Sequence, residues 1–141
     1  MSNRLYRILT LFAVLLFASC QEPEGFTDPE DPLDAGREFV RAVLDGDFEK
    51  ASIYVSDNEE DKEIFERYEN YMKKQPRSER LNLKSASIIV NKVEKLNDSV
   101  TIINFSNSHT MKPTDLKVVK QDNSWKVDFS YTFSGNLPAN E

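Results

Sequence analysis

The chain has 141 residues, 39% of them hydrophobic, with nine Phe, five Tyr and one Trp, enough for one packed domain and too apolar for an intrinsically disordered body. Its net charge is −6, and the excess sits in Gln21–Asp34, which holds six acids and no base. The remainder is nearly neutral, which argues against the basic face or stripe that nucleic-acid binding needs.

The chain begins with a short positive head, Arg4 and Arg7, followed by an apolar run from Ile8 to Ala18 broken only by Thr10. Phe17-Ala18-Ser19-Cys20 closes it. A bilayer span takes about 20 apolar residues, so this run is too short for a transmembrane helix. A charged head, a short apolar stretch and small residues before a cut make a secretory signal. Because the cut falls before a cysteine, residues 1–19 resemble a bacterial lipoprotein signal peptide. That group usually places Leu three residues before the cysteine, where this chain has Phe17, with Leu16 one further back. The resemblance implies a lipidated Cys20, carrying a diacylglyceryl thioether and usually a further amide-linked chain. Each buried methylene contributes about 0.8 kcal/mol, so one chain holds a membrane weakly and several hold it durably. Cys20 is the only cysteine, so lipidation leaves no thiol for disulfide or catalytic work. Gln21, in place of the Asp that commonly retains such proteins in an inner membrane, implies an outer-membrane destination. Glu22, Glu24, Asp28, Glu30 and Asp31 are similar to a surface-export signal. Residues 20–32 then form a lipidated cysteine and an acidic, proline-broken, flexible tether.

Helices follow. Asp31-Pro32-Leu33-Asp34 supplies an N-cap, a proline at the first helical position and an acid in the first turn. Phe39, Val40, Val43 and Leu44 repeat at three and four, which predicts one apolar face. Asp45-Gly46-Asp47 stops that helix and caps the next, marked by Phe48, Ala51 and Val55. Ser56–Asp61 offers caps for a third, with Ile64, Phe65, Tyr68, Tyr71 and Met72 inward and Pro76 at its end.

From Leu81 the expected period is two. Ile88 and Val90 mark a first strand. Val100, Ile102 and Asn104 alternate with Thr101, Ile103 and Phe105 in a second, and Leu116 and Val118 mark a third. Trp125, Val127, Phe129, Tyr131 and Phe133 alternate with Lys126, Asp128, Ser130 and Thr132 in a fourth. Asn97-Asp98 and Asp122-Asn123 suit tight hairpins, and a longer loop runs from Asn107 to Thr114. Helices followed by an antiparallel meander make an α+β fold, with helices packed on one face of a four-stranded sheet.

Two stretches resemble a known family. Ala35-Gly36-Arg37-Glu38-Phe39 through Asp45-Gly46-Asp47-Phe48-Glu49-Lys50-Ala51 is similar to the opening helices of nuclear-transport-factor-2-like (SnoaL-like, cystatin-like superfamily) domains in small bacterial lipoproteins. Asn123-Ser124-Trp125-Lys126-Val127 is similar to their final hairpin. The resemblance implies such a domain over residues 33–135, with a C-terminal tail at 136–141, and a curved sheet forming a cone with a pocket at its open end. Phe39, Tyr68, Tyr71, Trp125, Phe129 and Tyr131 are the residues to line that pocket.

Chemistry is harder to find. Enzymes on this fold place an Asp, His or Tyr inside the pocket for proton transfer. Here Asp128 is out of phase with the inward residues and should face solvent. His109, the single histidine, falls in the long loop and reads as solvated. The acids Asp57–Glu63 lack the glycine and spacing of a calcium loop and suit a helix start. Lys73, Lys74, Arg77 and Arg80 suit the end of that helix, or contact an anionic glycolipid or polysaccharide. Asp98-Ser99-Val100 resembles a short O-glycosylation site. No acid–base pair, metal set or cofactor motif is visible.

The expectation is a membrane-anchored envelope lipoprotein whose domain is a non-catalytic binding or interaction module. Its partners are the membrane, through Cys20, and a small apolar ligand, a glycan or an envelope protein. The alternatives are an isomerase- or dehydratase-type enzyme on the same fold and a structural protein that forms a homodimer through its sheet.

Overall fold

The first helix, α1 (Pro32–Asp45), is set by its ends. The Asp31 carboxylate accepts from Leu33 N (2.8 Å) and Asp34 N (2.9 Å), and Gly46 stops the helix at φ 75°. In this computed structural model, residues 27–133 are described. The signal segment, Cys20 and the tail at 136–141 lie outside the described residues.

Asp47 caps α2 (Phe48–Tyr54), and Asn58 caps α3 (Glu59–Lys73). A fourth helix, α4 (Arg77–Ser85), follows Pro76. This corrects the expectation of extended chain from Leu81. Proline cannot donate within a helix but suits its start, so Pro76 both ends α3 and opens α4. Arg41 then ties α4 to α1, its guanidinium donating to Ala86 O (2.8 Å) and Lys84 O (3.0 Å) while pairing with Asp45 (2.9 Å).

The sheet is an antiparallel meander in the order β1 (Ile88–Asn97), β2 (Val100–Asn107), β3 (Thr114–Gln121), β4 (Ser124–Asp128). The β3–β4 turn is Asp122-Asn123, both at positive φ, as a tight right-twisted hairpin requires. The β1–β2 turn is Asp98-Ser99, one residue later than expected, because β1 absorbs a register shift between Lys95 and Asn97. The expected α+β layout is thus observed. Thr101, Ile103, Phe105, Leu116, Val118, Trp125 and Val127 are buried on the helix-covered face. Gly36 lets α1 lie close on it: a Cβ there would sit 3.1 Å from Ile103 Cδ1 and 3.3 Å from Phe105 Cζ.

The fourth strand is shorter than its alternation predicts. It stops at Asp128, and Phe129–Phe133 forms a short helix, α5. Asp128 Oδ1 accepts from Tyr131 N (3.1 Å) and Ser130 Oγ (3.0 Å), which turns the chain. Phe129 and Phe133 then share a helix face and stack at 4.2 Å, while Tyr131 points away and is 49% exposed. The spacing Phe129-Tyr131-Phe133 fits both periods, and the Asp128 cap decides between them.

The free edge of β4 is covered, since Val55 bridges Val127 in parallel and Ser56 N donates to Val127 O (2.9 Å). No described strand pairs with the outer edge of β1, and its residues 91–97 are all exposed.

Candidate functional site

Of the six residues expected to line one pocket, the structure brings together three. Phe39 on α1, Tyr68 on α3 and Phe129 on α5 join Phe48, Phe65 and Phe133 in a continuous aromatic cluster. Ring centroids lie 5.9 Å apart for Phe39–Phe129, 5.5 Å for Tyr68–Phe129 and 5.3 Å for Phe65–Phe129. Edge and tilted packing of this kind contributes about 0.5–1.5 kcal/mol per pair beyond burial. The cluster fills the space between helices and sheet. What remains beside it is a hollow of about 120 Å³, reached past Lys112 and Thr114, with Phe39, Tyr68, Leu116 and Phe133 in its wall. Ligand sites run to about 300–1,000 Å³, so the hollow is too small to hold one. Burial pushes the Tyr68 hydroxyl up to about 12, so it stays protonated near neutrality and is a poor acid–base catalyst there.

The other three residues lie elsewhere. Tyr71 is 44% exposed on α3. Tyr131 lies on the opposite face of the sheet, its ring 5.5 Å below Lys117 Nζ, because α5 replaces the end of the strand. Trp125 is buried but clasps the N-terminal segment, donating from Nε1 to Glu30 O (3.2 Å), with Lys120 Nζ 5.7 Å over its ring. Beside it Ser124 Oγ donates to the Asp28 carboxylate. The residues just before α1, read from sequence as free tether, are therefore held against β4.

Two carboxylates at the start of α5 are structural. Asp61 is fully buried, accepting from Ser130 N at Oδ1 (2.7 Å) and from Asn58 Nδ2 at Oδ2 (2.8 Å). Asn58 Oδ1 accepts in return from Asp61 N, a reciprocal cap. Sequence reading saw Asp61 only as one acid among several at a helix start. Asp128 does lie on the outer face, yet it is half-buried instead of solvated, and Lys117 Nζ is 2.7 Å from Oδ2. Burial raises its pKa, but the bonds from Lys117, Tyr131 N and Ser130 outweigh this and hold it below the ordinary carboxylate value. His109 Nε2 lies 3.0 Å from both Glu79 oxygens, linking the β2–β3 loop to α4 on a partly exposed surface.

A groove of about 280 Å³ lies between α1 and α4. Val43, Leu44, Phe48, Met72 and Leu83 form its floor, and Leu81, 52% exposed, forms a wall. Arg77, Arg80 and Lys84 stand on its rim. Asp45, the acid beside them, is already paired with Arg41. Among the described residues no ion pair engages Arg77, Arg80 or Lys84. Sequence reading found two of these cations but assigned them to the end of α3. The signal it missed was Pro76 followed by a full helical turn carrying Arg77 and Arg80 three apart. An apolar floor under unpaired cations is complementary to a molecule with an apolar body and an anionic head.

No protein-family model, no curated protein and no solved structure matches this chain. Among the described residues no cluster of three or more His, Cys, Asp or Glu is placed to hold a metal ion, and no helix is long and apolar enough to cross a membrane.

Proposed function

We propose that this protein is an exported, lipid-anchored envelope protein whose domain is a non-catalytic binding module for small anionic amphiphiles. The α1–α4 groove carries the reading, with its apolar floor and three cations that no described side chain neutralises. Its volume, just below the usual range for whole ligands, suits one acyl chain with its head at the rim. The N-terminal signal supports the location, since a lipidated Cys20 would hold the domain beside a membrane that supplies such molecules.

Calorimetric titration of the full chain in a non-ionic detergent with decanoate and with decanol tests the module. Decanoate should bind the tighter of the two, because only it offers a charge to Arg77 and Arg80. Each exposed ion pair contributes about 0.2–1 kcal/mol. Loss of two such pairs in Arg77→Glu with Arg80→Glu should therefore weaken decanoate roughly 2- to 30-fold and leave decanol unchanged. Equal affinities for the two, or an indifferent double variant, would remove the basis for the proposal. The anchor is tested separately by metabolic labelling with a fatty-acid probe. Label should be lost in Cys20→Ser, and its persistence would refute lipidation at that residue.

A further inference from the structure

We infer that the outer edge of β1 is a self-association surface, pairing antiparallel with β1 of a second copy about a two-fold axis at Val93. This does not rest on the groove reading.

Hydrogen-bond parity identifies which groups are available. In an antiparallel sheet successive residues direct their backbone N–H and C=O to alternate neighbours. Lys120 N donates to Ser99 O, so the odd residues of β2 face β3. Ser108 N donates to Ser87 O, so the even residues of β2 face β1. The two bonds agree. Asn104 and Ile102 are even, and their partners on β1 are Lys92 and Glu94. Those two therefore spend their backbone groups on β2, leaving Val93 and Lys95 to direct theirs outward from the sheet.

Charge then selects a register. Exposed edges are normally blunted by charged side chains, and a run of one sign would block pairing outright. Here the signs alternate around an apolar residue, Lys92-Val93-Glu94. Four two-fold registers can be centred on residues 92–95. Centring on 92, 94 or 95 sets Lys against Lys, Glu against Glu, or Lys against Lys. Within one copy Lys92 Nζ already pairs with Glu94 Oε2 (2.5 Å). Centring on Val93 sets each Lys92 opposite the Glu94 of the second copy, in the narrow pair where side chains come closest, so the two in-strand pairs merge into one cluster of alternating charge. It also makes Val93 a hydrogen-bonded pair with its own copy, as its outward-directed groups require. Val93 is 46% exposed on the inner side of the sheet, so its side chain gains cover in the same step.

The flanks limit the contact. Register shifts between Val90 and Lys92 and between Lys95 and Asn97 bound the regular stretch. Asn91 fixes the first by donating to Asn104 Oδ1 (2.9 Å) and Ser106 Oγ (2.7 Å). Bulges break a ladder, so pairing is confined to a few residues, which predicts a weak dimer favoured by crowding on a membrane.

The test uses the full chain in detergent, with charge reversals at exposed positions that leave the fold intact. Sedimentation should show a concentration-dependent dimer for the wild type. Lys92→Glu alone and Glu94→Lys alone should each abolish it, since each opposes like charges twice. The double variant Lys92→Glu with Glu94→Lys should restore it. On a Cys20→Ser background, Val93→Cys should cross-link under oxidation, its Cα atoms standing about 5.5 Å apart, and Lys95→Cys should not. A wild type that stays monomeric, a double variant that fails to recover, or cross-linking through Lys95→Cys in place of Val93→Cys would each overturn the inference.

Discussion

Asp61 is the residue whose replacement should cost this domain most for the fewest atoms. Its carboxylate is wholly inaccessible and accepts from Ser130 N at 2.7 Å and Asn58 Nδ2 at 2.8 Å, joining the start of α3 to the start of α5. A hydrogen bond to a charged group contributes about 1.5–3 kcal/mol, and an abandoned buried donor costs about 1–3 kcal/mol. Asp61→Ala strands Ser130 N, whereas exposed Asn58 keeps its bond from Nδ2 to Ser56 Oγ. Burying the carboxylate no longer has to be offset, so the net loss should be about 2–4 kcal/mol. Asp61→Asn is nearly isosteric, yet its one oxygen can serve one donor while its NH₂ is set against the other. It should lose about 1.5–3 kcal/mol, close to Ala and well above the effect of a surface change. Against a total stability of about 5–15 kcal/mol this is easily measured. Urea unfolding followed by Trp125 fluorescence gives the value, with exposed Asp57→Asn as a control expected within about 0.5 kcal/mol of wild type. If Asp61→Asn matches that control, the carboxylate does not act as the reciprocal cap and α5 is held by its aromatic face alone.

Asp128 gives a prediction in pH. Its folded pKa is depressed, so the stability it contributes is present above the unfolded value, about 3.9, and is lost as pH falls through the folded one. The unfolding difference between wild type and Asp128→Asn should be full at pH 7 and shrink below about pH 4; a difference independent of pH would contradict the Lys117 pairing. Gly36→Val should destabilise by about 1–3 kcal/mol in the same urea assay, because its branches meet Ile103, Phe105 and Leu116. A neutral or stabilising result would mean that α1 does not press on the sheet as closely as described.

Local signals made much of the fold legible. The Asp31-Pro32 start, the Gly46 stop and the Asp122-Asn123 turn each act through residues adjacent in sequence, and the inward set of β2 and β3 follows from alternation. The errors arose where a distant residue decides. Whether Phe129 and Phe133 continue a strand or share a helix face depends on Asp128 as a cap and on Asp61, 69 positions away, holding Ser130 N. The α4 helix depends on Arg41 reaching its last carbonyls from α1. For the candidate site, the aromatic residues were found but their number was misleading: enough rings to line a pocket are also enough to fill one. The groove was illegible because Val43, Leu44 and Phe48 are indeed buried core residues whose outer edges also form its floor, and because Arg77 and Arg80 fit a solvated helix end equally well.

The claim that the domain binds through its α1–α4 groove is tested most directly by photolabelling the full chain with a diazirine-bearing fatty acid and mapping the adducts by mass spectrometry. Adducts should concentrate on Leu44, Phe48, Leu81 and Leu83, compete with decanoate, and fall away in Arg77→Glu with Arg80→Glu. Adducts concentrated instead at Tyr68 and Phe133 would contradict the account and return the site to the aromatic hollow.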